Sequence, residues 1–223
     1  MLKDNLLSII EEIKNGNPYG EDITLIGATK FVDVEVINDA VDLGLKVVAE
    51  NQAQEFVRKT NFISKNAKQH FIGHLQTNKV KYLVGKVDLI HSVDSVKLAN
   101  AINERALKLG VVQNVLLEIN VGGESSKSGF ATCEIACALK EIFGLSNVKV
   151  KGFMTVLPIT EDRGVTEKCA KEMREIFDKY KAEYSLEYLS MGMSADYKIA
   201  IKNGSNMIRI GSTIFGKRNY GDK

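Results

Sequence analysis

The chain is short of proline and cysteine, carries almost no net charge and contains no long apolar run, and each shortage closes off a class of protein. Only Pro18 and Pro158 occur among 223 residues, so no proline-rich linker divides the sequence. The three cysteines, Cys133, Cys137 and Cys169, are an odd number, and no histidine stands beside Cys133 and Cys137 to complete a metal set. They are expected to be reduced and partly buried, with no metal site. Thirty Lys and Arg against 28 Asp and Glu leave a net charge of +2, too weak a field to recruit nucleic acid or an acidic membrane. Apolar stretches such as residues 115–117 stop far short of a bilayer span, and residues 1–13 carry Lys3, Asp4, Glu11 and Glu12. No membrane anchor or secretion signal is expected, and the expected location is the cytoplasm.

What remains is an ordinary globular composition, 44% apolar and 26% charged, at a length that one domain over residues 1–223 can fill. Short β-rich apolar runs fall at residues 24–28, 46–49, 69–72, 89–91, 114–120, 149–154, 187–189 and 207–210. Between them, stretches with a 3.6-residue period predict helices over 34–43, 52–60, 77–84, 95–109, 132–143, 165–180 and 195–203. Asp94 and Thr132 are candidate N-caps, while Gly44 and Gly110 stand where helices end. A further helix over 2–14 precedes the first strand and is placed to cover the bottom of a barrel. Eight alternations of strand and helix predict a closed (β/α)8 TIM barrel in the α/β class, because closure removes both sheet edges. An open doubly wound sheet is the alternative. Against it, the first strand ends in Gly27-Ala28-Thr29-Lys30 and no Gly-x-Gly-x-x-Gly follows.

In such a barrel the functional groups gather at the carboxyl ends of the strands. There the sequence places Lys30, Glu50 and Asn51, His74, His91 with Ser92 and Asp94, Asn120, and Met154 with Thr155. A lysine at the tip of a buried strand is an amine suited to forming an imine with a carbonyl compound. Strands seven and eight run into Ser190-Met191-Gly192-Met193-Ser194-Ala195-Asp196 and Gly211-Ser212-Thr213. Small, hydroxyl-rich turns leading into helices bind anions, and these two loops are the usual phosphate site of the architecture. Lysine and phosphate cup together imply a phosphorylated aldehyde or ketone. Arg209, inside Ile208-Arg209-Ile210, either aims its donors at such a ligand or closes a salt bridge at the rim. The run Gly211 to Arg218 imitates a P-loop but has Arg218 where Ser or Thr must hold magnesium, and Ser126-Lys127-Ser128-Gly129 lacks the required glycines. His70, His74 and His91 do not form a helical metal pair.

Several segments in order resemble one family, the pyridoxal phosphate homeostasis proteins, whose barrel is similar to that of alanine racemase (fold type III). They are Ala28-Thr29-Lys30, Ala49-Glu50-Asn51 with Gln54-Glu55, His70-Phe71-Ile72-Gly73-His74-Leu75-Gln76-Thr77-Asn78-Lys79, Ser126-Lys127-Ser128-Gly129, Gly152-Phe153-Met154, Ser190 to Asp196, and Arg209 to Gly216. The departures are Ala49, where the family usually has glycine, and His74, where it often has proline. The resemblance implies pyridoxal 5′-phosphate (PLP) as cofactor, Lys30 bonded to its aldehyde, and Ser194, Gly211 and Ser212 on its phosphate. It implies Arg209 at the pyridine nitrogen and Asn51 and Ser190 as pocket residues. It also implies custody of vitamin B6 rather than catalysis, since the second catalytic base of alanine racemase belongs to a further domain that this sequence does not show. An arginine beside the ring nitrogen opposes its protonation and weakens the electron sink. The rival readings are a PLP-dependent racemase or lyase, a class I aldolase bonding its substrate through Lys30, and a partner-binding scaffold. Lys127 is a candidate for assisting cofactor transfer, PLP-dependent apoenzymes are candidate transient partners, and the chain is expected to be a monomer.

Overall fold

The computed structural model describes residues 1–124 and 128–216. Its eight parallel strands close in sequence order into one barrel: β1 (Thr24–Ala28), β2 (Val47–Glu50), β3 (Lys68–Phe71), β4 (Leu89–Val93), β5 (Gln113–Glu118), β6 (Val148–Met154), β7 (Tyr188–Ser190) and β8 (Met207–Ile210). Closure is made by β1 pairing with β8, Ile26 opposite Arg209. The register shifts between Ile90 and Val93 and again between Val115 and Leu116. The strands read as apolar runs because helices cover their outer faces while the barrel interior buries the inner ones.

Around the barrel run α1 (Leu2–Ile13), α2 (Val34–Asp42), α3 (Ala53–Lys59), α4 (Val80–Leu83), α5 (Val96–Leu109), α6 (Ile135–Phe143), α7 (Arg163–Tyr184), α8 (Tyr197–Lys202) and α9 (Ser212–Phe215). Most of the apolar core lies between this ring and the strands. Phe153 of β6 and Phe177 of α7, both fully buried, meet edge to face with centroids 6.3 Å apart, and burying each ring is worth roughly 1.5–3 kcal/mol. Inside the barrel a thinner apolar layer of Ile26, Val47, Ala49, Leu89, Leu116, Met154 and Met207 fills the middle. It separates a polar upper end from a polar lower end.

Several expectations are corrected. Helix α1 does not cover the bottom of the barrel: Leu6, Ile9 and Ile13 pack sideways with Ile37, Ile208 and Ile214, because α1 carries its apolar stripe on the face that α2 and α9 complete. The N-cap of α5 is Ser95, whose hydroxyl accepts the Leu98 N–H at 3.3 Å, while Asp94 binds the Ser95 hydroxyl. Ala131, not Thr132, precedes the turn into α6, and the Glu134 carboxylate accepts its N–H at 2.8 Å. Cys133 and Cys137 are exposed and only Cys169 is buried. Asn120 lies beyond β5, its amide donating to the Glu124 carbonyl at 2.9 Å. Ser190 is the last residue of β7 rather than the first of a turn, which directs its side chain into the barrel.

Candidate functional site

At the carboxyl end of the barrel lies a cavity of about 620 Å³ whose wall includes Ala28, Asn51, Ile72, Ser194, Arg209, Gly211 and Ser212. Strand alternation explains the selection: Ile26 and Ala28, Ala49 and Asn51, and Met207 and Arg209 are two apart and share the inner face. Asn51 Oδ1 is buried there without a hydrogen-bond partner. Its backbone is fixed by the next loop, where a Cβ on Gly73 would stand 1.9 Å from the Asn51 carbonyl oxygen. Only glycine allows that approach.

Arg209 forms the floor. The residue is 5% exposed; its guanidinium donates to Ser190 Oγ at 2.7 Å and the Thr155 carbonyl at 2.9 Å and leaves the rest of its five-donor fork for the cavity. Burial lowers its pKa to about 10, with Asp196 and Glu118 opposing the shift, so it stays charged at neutral pH. This decides for the inward orientation over a salt bridge at the rim. Above it, the N–H groups of Gly211 and Thr213 converge on Ser194 Oγ at 3.3 and 3.5 Å. A hydroxyl and two amides thus meet at one edge of the cavity. The adjoining turn is held by Gly192 at φ +97, where a Cβ would stand 2.6 Å from that of Ala200.

Lys30 stands two residues beyond Ala28, at the mouth. It is half-buried, and its ammonium lies 4.9 Å from the centroid of the Phe31 ring. Phe31 has φ +61, a conformation that costs a non-glycine residue about 1–3 kcal/mol and persists only where its surroundings impose it. Helix α3 imposes it from both sides. Glu55 accepts the Phe31 N–H at 2.7 Å, and Lys59 donates to the Thr29 carbonyl at 2.9 Å. Lys59 also reaches Glu50 at 2.9 Å and Glu55 at 2.6 Å, while the Thr29 hydroxyl donates to Glu50 at 2.6 Å. Burial raises the Glu50 pKa against the pull of Thr29 and Lys59. A buried cluster of one lysine and two carboxyl groups therefore holds the backbone on each side of Lys30.

Of the seven residues predicted for the site, five line the cavity, Ser190 braces Arg209 from beneath, and Lys30 stands at the mouth. Lys127 lies outside the described residues. The sequence reading missed Lys59, for which the Glu55–Lys59 spacing of four on a helix was the available signal. It also missed Glu118, whose carboxyl at the upper end is pushed up by burial and by Asp94, and the contact of His91 with His70, at 3.0 Å between ring nitrogens. Among the described residues no cluster of three or more His, Cys, Asp or Glu is disposed to hold a metal, and no helix is long and apolar enough to cross a membrane.

An amine at the mouth, a guanidinium floor and a hydroxyl-and-amide edge make this a (β/α)8 barrel of the class that takes small phosphorylated carbonyl compounds. The alanine racemase N-terminal domain family matches residues 29–219. The chain belongs to the pyridoxal phosphate homeostasis protein family. It is 45% identical over 199 residues to the Aquifex aeolicus pyridoxal phosphate homeostasis protein, with 88% of this chain and 87% of the relative covered. The Escherichia coli K12 protein of the same name is 34% identical over 209 residues, covering 91% and 89%. Among solved structures, PipY of Synechococcus elongatus with PLP bound superposes with a TM-score of 0.86 at 26% identity, covering 97% of this chain and all of that one. Alanine racemase of Clostridium difficile shares the fold, with a TM-score of 0.77 at 21% identity, and the match spans 98% of this chain and 58% of the racemase.

Proposed function

We propose that the protein holds pyridoxal 5′-phosphate at the upper end of its barrel and serves as a carrier and buffer of that cofactor without turning over a substrate. The observation that carries the reading is the cavity wall. Arg209 is its one titratable side chain among the described residues and is set opposite an anion-binding edge, and Lys30 follows two residues after Ala28 of the wall. The residues fit the group. Ser194, Gly211 and Ser212 would hold the phosphate, the unpartnered Asn51 Oδ1 would accept from the ring hydroxyl, and Ser190 would keep Arg209 toward the ring nitrogen.

When bound, the cofactor supplies an aldehyde carbon open to a primary amine and a ring that draws electrons when its nitrogen is protonated. Lys30 is the amine at hand, and the Glu55 and Lys59 clamp keeps its backbone in place. Arg209 keeps a second positive charge off the ring nitrogen, since two cations in a dry cavity repel strongly. Among the described residues the cavity wall adds no second base to Lys30, so a proton taken from one face of a substrate carbon has no lining group to return it on the other. Both features argue for holding over transforming. The family relationship supports the same reading.

We infer further that the protein acts as a monomer in the cytoplasm and passes PLP to apoenzymes through transient contacts. Exposed thiols at Cys133 and Cys137 suit a reducing compartment. The test of custody is α-proton exchange. Loaded protein incubated with alanine in deuterated water should show no exchange above free PLP, whereas a stoichiometric load should reach an apoenzyme on mixing. Exchange at enzymatic rates would replace the carrier with a racemase or lyase.

A further inference from the structure

The amino ends of the strands enclose a second cavity, of about 570 Å³, whose lining includes Lys46, Asn66, Lys68, His70 and Tyr188. It is joined to the upper site by a line of buried side chains through the barrel. Arg209 Nη1 lies 2.7 Å from Ser190 Oγ, Ser190 Oγ lies 3.2 Å from His91 Nδ1, and His91 Nε2 lies 3.0 Å from His70 Nδ1.

The polarity of this line follows from its upper end. A guanidinium only donates, so Ser190 Oγ accepts from Arg209. The hydroxyl proton then has one acceptor in reach among the described side chains, His91 Nδ1. His91 therefore carries its proton on Nε2 and donates it to His70 Nδ1. His70 in turn carries its proton on Nε2, the nitrogen left for the lower cavity. The opposite polarity would leave the Ser190 proton without an acceptor in a dry interior, an unmade bond of substantial cost. Both rings are neutral: burial first, and then Lys68, hold the His70 pKa down to about 3, and burial, His70 and Arg209 depress that of His91.

The lower cavity thus receives an N–H donor from a side chain that is only 5% exposed. Lys68 shares the inner face of β3 with His70, and Lys46 immediately precedes the Val47 that pairs with Lys68. Neither lysine makes an ion pair among the described residues. Lys151, Glu187 and Asp88 also line the cavity; Lys151 is paired with Glu187, and the Asp88 carboxylate accepts the Gln69 N–H at 2.8 Å.

We propose that the lower cavity is a second ligand site, for a small anion of the carboxylate or phosphate class, gripped by His70 Nε2–H with Lys46 and Lys68 and linked to Arg209 through His91 and Ser190. An acceptor on His70 reinforces the same direction of hydrogen bonding that fixes Arg209 under the upper ligand. The coupling to PLP rests on the function proposed above. The binding site does not.

The experiment is ¹⁵N NMR of the full chain with labelled histidine, loaded with PLP so that the upper anion edge is filled, and titrated with inorganic phosphate or with succinate. Both rings should start as neutral Nε2–H tautomers. Phosphate, succinate or both should shift the His70 resonances saturably, and whichever does so identifies the class. In Lys46→Ala/Lys68→Ala, remote from the upper cavity, the affinity should fall at least about tenfold, the worth of one charge-assisted bond. No saturable shift, an equal response in the double variant, or the Nδ1–H tautomer at His70 would each overturn the proposal. The same titration without PLP keeps the binding result separate from any failure of PLP to bond Lys30.

Discussion

Lys59→Met tests whether the cluster behind Lys30 is held by charge. The lysine side chain is 13% exposed, as is that of Glu55, and that of Glu50 is 7% exposed, so solvent screening is slight. Removing one partner from a buried pair costs roughly 3–5 kcal/mol, because the remaining charge is left in a poor solvent. In a domain of this size that corresponds to a fall in melting temperature of about 6–20 °C. The pH dependence carries a sign. Glu50 already has a raised pKa in the folded state, and losing Lys59 removes a contribution that lowers it. A carboxyl with a raised folded pKa is most stable protonated, and stability is lost as pH rises through that pKa. The gap between variant and wild type should therefore be widest near neutral pH and narrow on acidification. Lys59→Met/Glu50→Gln should recover part of the loss at pH 7. Urea unfolding at several pH values, variant against wild type, reads both effects. A gap under about 1 kcal/mol, or one that does not narrow in acid, would refute the account of this cluster.

Other residues give sharper local tests. Lys30→Ala should abolish borohydride-stable attachment of PLP yet keep weak binding through Ser194, Gly211 and Ser212, read by equilibrium dialysis. Unchanged attachment would remove Lys30 from its role. Gly73→Ala forces a Cβ against the Asn51 carbonyl and should cost about 1–3 kcal/mol or more while weakening PLP binding. A variant with wild-type stability and affinity would show that the loop relaxes freely. Arg209→Met should raise the pKa of the bound ring nitrogen, measured by ¹⁵N NMR of labelled PLP, because a positive charge has left the floor.

The barrel was legible because both faces of each strand are buried, so that runs such as Val115, Leu116 and Leu117 stand out and the intervening helices keep their period. Strand β7 was placed one residue early. With only three residues it offers no periodicity, and Ser190 reads equally well as the start of a turn, which hid its place beneath the cavity. Lys30, Ser194 and Arg209 were found because barrel architecture assigns meaning to strand ends, and the family resemblance assigned them roles. Lys59 reads as one more lysine on an amphipathic helix; only the approach of α3 to the end of β1 reveals that it holds the Thr29 carbonyl. His70 and His91 were weighed as metal ligands and set aside. Their contact depends on adjacent strands turning both rings inward, a register relation that no single segment carries.

The central claim is tested most directly by adding PLP to the purified protein, reducing with borohydride and locating the modified peptide by mass spectrometry. The account predicts a visible absorption band that disappears on reduction, with one pyridoxyl group fixed on Lys30. A protein that takes up no PLP, or an adduct confined to other lysines, would contradict it.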